Sequence, residues 1–139
     1  MRSPQAANRS LYERPAVASI LPRTAAQSPY LLGELTNRLT TVQLAADDMV
    51  RRVNDFDFEM GLAMSDAMLV RKTIVAEGVL ATVEKALEAA GGAGFYRKTG
   101  LERLLRDAHG AQFHPLPAKR QHRFTGRIAL GLDPITDAA

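Results

Sequence analysis

From Leu32 onward, apolar residues return at every third or fourth position: Leu32, Leu35, Leu39, Val42, Ala46, Met49, Val53 and Phe56. Residues so spaced share one side of an α-helix, and Arg38, Asp47, Asp48, Arg51 and Arg52 fall off that stripe. The pattern predicts a long first helix opened by Ser28-Pro29, with a hydroxyl acceptor at the N-cap and a proline where no N–H is needed. Such a heptad-like stripe suits an oligomer seam or an ordinary bundle helix, the second being the commoner use. Gly61 to Asp66 then reads as a turn, with Ser65 as N-cap of a second long helix reaching Ala90. Its apolar face is broad, comprising Val70, Ile74, Val75, Val79, Val83, Ala86, Leu87 and Ala90, which predicts contact on more than one side. Ala67, Gly78 and Ala81 are small enough to admit a neighbouring helix, and Met60, Met64 and Met68 read as packing filler.

Gly91-Gly92-Ala93-Gly94 ends that pattern, since glycine readily takes the positive φ of a helix cap. Thr99-Gly100-Leu101-Glu102 reads as a capping box for a third helix that buries Leu101, Leu104, Leu105 and Ala108 and stops at Gly110. A last helix is expected from near Pro117 to Gly131, burying Phe124, Ile128 and Leu130. The fold expected is therefore all-α, an up-down helical bundle over residues 28–132. Residues 1–27, with Pro4, Pro15 and Pro22 and no sustained apolar period, read as a disordered or non-native leader. An organelle transit peptide is the less favoured reading of that Arg-bearing segment. Residues 133–139 read as a tail.

Composition narrows the class. Of 139 residues, 46% are hydrophobic and 24% charged, the make-up of an ordinary globular domain, while 6% aromatics favour helices over sheets. With no cysteine, disulfides, thiolate nucleophiles and Cys-ligated zinc are excluded, and a reducing, cytoplasmic setting is expected. No apolar run approaches the ~20 residues that span a bilayer, so no membrane partner is expected. The net charge of +3 is unevenly laid out: residues 31–90 carry six basic against ten acidic groups, and residues 91–127 carry eight against two. A basic end of this kind suits a phosphate-bearing ligand, an acidic partner or nucleic acid.

Chemistry-bearing motifs are few. The glycine turn lacks G-x-G-x-x-G spacing and follows a helix, so a tight interhelical turn is favoured over an anion cradle. Asp107 beside Arg106 reads as an ion pair tying its helix to the bundle. His109, His114 and His122 share no helical face at i, i+4 spacing, and no metal site is expected. Lys119, Arg120, Arg123 and Arg127 form a basic patch, readable as a solvated face or as a phosphate site. Few aromatics interleave with it, which argues against nucleic acid.

Glu88-Ala89-Ala90-Gly91-Gly92, then Phe95, then Leu101-Glu102-Arg103-Leu104-Leu105-Arg106-Asp107-Ala108 resembles the C-terminal helical domain of the acyl-CoA dehydrogenase family. These are FAD-dependent oxidoreductases acting on CH–CH groups, and the likeness extends over residues 33–131. The resemblance implies that Glu88, Gly91 and Gly92, at the family's Gln-x-x-Gly-Gly turn, lie against the adenosine side of FAD held by a neighbouring subunit. It also implies a homo-oligomer or a flavin-bearing partner subunit, and acyl-CoA as substrate. Glu88 stands where the family carries an amide, and a carboxylate there repels pyrophosphate. Where many members carry a catalytic glutamate in Tyr-Glu-Gly-Thr, this chain reads His114-Pro115-Leu116-Pro117. No catalytic residue is therefore assigned, and Phe113-His114-Pro115 looks like branches of the superfamily lacking that base. The flavin and substrate domains do not fit into residues 1–30, and the first long helix of the family's bundle has no clear match, so the expectation is an incomplete module, a bundle missing one helix and not catalytic alone, that assembles with itself or with a flavin-bearing subunit. The alternative is a non-catalytic helical interaction protein derived from the same bundle, with turnover, substrate and chain length left open.

Overall fold

The computed structural model describes residues 29–136. The expected Ser28 cap, the whole of the expected leader (residues 1–27) and residues 137–139 of the expected tail lie outside the described residues. Within them are four α-helices and no strand: α1 (Pro29–Val53), α2 (Leu62–Ala90), α3 (Leu101–Gly110) and α4 (Ala118–Ala129). The fold is all-α, as the periodicity predicts.

Helices α1 and α2 run antiparallel, as three pairs along their seam show: Glu34 with Lys85, Val42 against Gly78, and Asp48 with Arg71. Gly78 is what permits the middle contact. A Cβ built there would lie 2.5 Å from Val42 Cγ2, so the two helices meet where α2 has no side chain. Of the small residues that the sequence of α2 offers for such an approach, Gly78 makes it. Helix α4 runs antiparallel to α2 on another side. Lys72 Nζ donates to Leu116 O at 2.9 Å. Further along, Gln121 Nε2 donates to Thr125 Oγ1 (2.8 Å), which donates to Asp66 Oδ1 (2.5 Å). The broad face of α2 is thus explained: α1, α3 and α4 each pack along it.

Local details depart from the sequence-based expectation. α2 starts at Leu62 with Gly61 as N-cap, and Ser65 sits one turn inside, its N–H donating to Gly61 O at 2.9 Å. The α1–α2 connection passes through Asn54, Asp55 and Phe56, all with positive φ (44°, 55° and 69°), a region costly for side-chain-bearing residues. Phe56 consequently leaves the α1 stripe and is 84% exposed, and Met60 is no filler at 81%. Leu104 and Leu130, expected inside, are 46% and 76% exposed, because α3 and α4 are covered on one narrow side only. On α4 the buried residue is Gln121.

The core is small. Leu35, Ala89, Ala90 and Leu101 form its buried cluster, with Leu31, Leu32, Ala86 and Leu87 packed around them. That cluster draws on α1, α2 and α3 at one end of the bundle, the end that carries the glycine turn. Thr73 Oγ1, buried on α2, finds no hydrogen-bond partner among the described residues, a state that costs free energy in a native protein.

Candidate functional site

The glycine corner is built by three different constraints. α2 stops at Ala90 because Gly91 adopts φ 57°, ψ −144°, its N–H turning back to Glu88 O; that conformation is essentially glycine's alone. Gly94 is fixed by packing instead: it is buried, and a Cβ there would meet Leu87 Cδ2 at 2.9 Å. Gly92 answers to neither constraint. It has no positive φ, its Cβ position is open to 4 Å, and it is exposed.

Beyond the turn, Tyr96 is extended and Gly100 takes a left-handed conformation (φ 73°) as N-cap of α3. The expected capping box does not form. Thr99 Oγ1 donates to Tyr96 O at 2.8 Å, bonding backward, and no side chain caps α3. Gly100 reverses the chain so sharply that the hydroxyl stays with the preceding turn.

Glu88 stands on the rim with its side chain 54% exposed, and it is not a lone charge. Lys85 Nζ lies 2.6 Å from Glu88 Oε2 and 2.7 Å from Glu34 Oε2, joining α1 and α2 beneath the corner. The hydrogen bond from Lys85, with its charge, holds the Glu34 carboxyl below its usual range. Hydrogen bonds to Glu34 and then Glu88 raise Lys85 in turn. The repulsion of pyrophosphate expected from Glu88 is therefore partly offset. Phe95, Tyr96, Arg97 and Lys98 are exposed next to the turn, and neither cation pairs with a carboxylate among the described residues. The i, i+3 spacing of Lys85 and Glu88 was visible in the sequence. Glu34 was not, because only the register of α1 on α2 brings it there.

The remaining motifs separate. Arg106 and Asp107 pair with each other at 3.0 Å, exposed (72% and 57%). They pair within α3 itself, and no ion pair of theirs to another helix is seen among the described residues. His109, His114 and His122 are exposed, and the described residues hold no group of three or more metal-ligating side chains. Pro115 lies in the exposed link between α3 and α4, next to His114. The basic patch divides: Lys119 and Arg120 face solvent, whereas Arg127 donates to Asp133 O at 2.5 Å and Arg123 to Thr136 O at 3.4 Å. Asp133 caps this link by accepting from the N–H groups of Ile135 and Thr136 and from the Thr136 hydroxyl, which lowers its carboxyl below the usual range.

Comparison with protein families matches residues 6–117 to the C-terminal domain of acyl-CoA dehydrogenases. Neither the curated proteins nor the solved structures contain a significant match. The matched span runs through α1, the glycine corner and α3, and ends one residue before α4. A bundle of antiparallel helices with an open glycine turn, matched over most of its length, makes this chain a member of the acyl-CoA dehydrogenase C-terminal domain family.

Proposed function

We propose that this chain is the cofactor-facing helical module of an acyl-CoA dehydrogenase-like oxidoreductase and works against a flavin domain of a neighbouring subunit. Gly91 and Gly92 would lie against the adenosine diphosphate of FAD held by a neighbouring subunit, with Glu88 on the rim. The observation that supports this most is the openness of the corner: both glycines are exposed, with nothing within 4 Å of either Cβ position. An anion can therefore approach the backbone closely. The residues present fit the group, since Lys85 offsets Glu88, and Arg97 and Lys98 stand exposed nearby with no carboxylate paired to them among the described residues. Bound FAD would supply the redox chemistry on the CH–CH bond of an acyl-CoA thioester. The chain itself offers binding and orientation, and with Pro115 at the position of the usual glutamate it is assigned no catalytic base. We place it in the cytoplasm on its cysteine-free composition; no helix among the described residues is long and apolar enough to cross a membrane.

A second reading, a non-catalytic assembly protein, draws on the thin core: Leu44, Val50, Phe56, Phe95 and Leu130 are each more than 60% exposed. A contiguous patch of such residues would suit cover by another polypeptide. Flavin absorbance retained after gel filtration, with and without a separate acyl-CoA dehydrogenase flavin domain, distinguishes the two. On the first reading flavin co-elutes with an oligomer. Gly92→Asp, which adds a carboxylate where there is room, then weakens retention at least about tenfold (~1.4 kcal/mol) while the helical melting curve stays put. Oligomers free of flavin under every condition would leave only the second reading.

A further inference from the structure

The α1–α2 hairpin has two unlike ends. At one, residues 54–61 link the helices and carry Asp55, Asp57 and Glu59 with no basic residue among them. Arg51 and Arg52, the nearest cations on α1, turn to Asp48, and the three link carboxylates pair with no cation among the described residues. Phe56, at positive φ, is 84% exposed there, and Met60 is 81% exposed. Backbone strain of this kind gathers where a surface is shaped for use. Leu130, 76% exposed, stands at the same end, because the bond from Thr125 to Asp66 sets the last turn of α4 level with the start of α2. At the opposite end, beyond the glycine turn, Phe95 and Tyr96 are 83% and 64% exposed. Arg97 and Lys98 follow them, and residues 91–101 hold no acid.

We infer that the acidic link of one copy docks head to tail on the basic corner of a second copy. The two patches match in charge, and each sets exposed large apolar side chains beside its charges, so one contact buries both kinds of surface. They cannot satisfy each other within one molecule. Helix α2 holds them 29 residues apart, about 43 Å at 1.5 Å per residue. Charges that far apart are screened from each other, since the Debye length at physiological salt is about 8 Å. The contact joins different patches on the two copies, so every pairing leaves one link and one corner free. Association therefore continues past the dimer, into a closed ring or an open row. No flavin takes part, so the inference goes beyond the proposed function and does not rest on it.

Sedimentation velocity of the full chain tests this, read against concentration and salt without flavin. Species larger than a dimer are expected at low salt, shifting to monomer at about 0.5 M salt, where screening shortens to roughly 4 Å. Phe56→Ser with Met60→Ser disables the link, and Arg97→Glu with Lys98→Glu disables the corner. All four side chains are exposed, and circular dichroism checks that the helices persist. Each double variant alone should assemble at least about tenfold more weakly. Mixed together they keep one intact link and one intact corner between them, and should form a 1:1 dimer that grows no further. A link variant that only removes charge, Asp57→Asn with Glu59→Gln, should weaken assembly and flatten its salt dependence. A wild-type chain that stays monomeric at every concentration overturns the inference. So does assembly that none of these variants changes, or a mixture no larger than its separate components.

Discussion

Gly78 shows how one residue sets the distance between two helices. Glycine inside a helix costs roughly 1 kcal/mol relative to alanine, so its presence midway along α2 needs a reason. Val42 supplies it, lying where the first side-chain atom would go. Val42 is buried and β-branched, hence unable to turn aside cheaply. Gly78→Ala should therefore destabilise the chain by about 1–2 kcal/mol despite its better helix propensity. Pairing it with Val42→Ala should make the double variant more stable than the two single losses predict, as read by urea unfolding of all four proteins. At this scale the sequence was partly legible. Gly78 could be marked as a close-approach site from its small neighbours on an apolar face, but its partner could not be named. Gly92 is the opposite case, a glycine that neither conformation nor packing explains, which no periodicity singles out.

Among the elements, the α1–α2 hairpin depends on Asp48. Arg51 and Arg52 reach it from its own helix at 3.3 and 2.8 Å, and Arg71 reaches it from α2, also donating to Ala67 O. Hydrogen bonds from Arg52 and then Arg71 hold the Asp48 carboxyl far below its usual range. A carboxyl lowered on folding contributes stability that is complete above its unfolded pKa, about 3.9, and is lost as pH falls toward the folded value. Urea midpoints should accordingly fall on acidification below about pH 4, and Asp48→Asn should be less stable at neutral pH with a shallower acid decline. Helices were legible here because three-and-four spacing survives any partner. Caps were not. Ser65 and Thr99 have the right chemistry for helix starts, yet α2 begins from extended backbone at Gly61 and α3 from a left-handed turn at Gly100, neither with a side-chain cap.

On the scale of the whole molecule, the sequence foretold helices but not which one would be central. The broad apolar face of α2 indicated contact on several sides, and the structure gives the assignments: α1 at Gly78, α3 at Ala89–Ala90 and α4 at Asp66. Leu104 and Leu130 stay exposed although their spacing predicts burial, since a short helix lying on one long helix buries only a strip. The central position of α2 has a kinetic consequence. Any opening that frees its inner amides must first peel away neighbours on more than one flank, whereas α4 detaches by breaking a single contact line. Deuterium uptake should thus be slowest in the middle of α2 and fastest in α4, with the long helix outlasting its companions as the last protected segment of the chain.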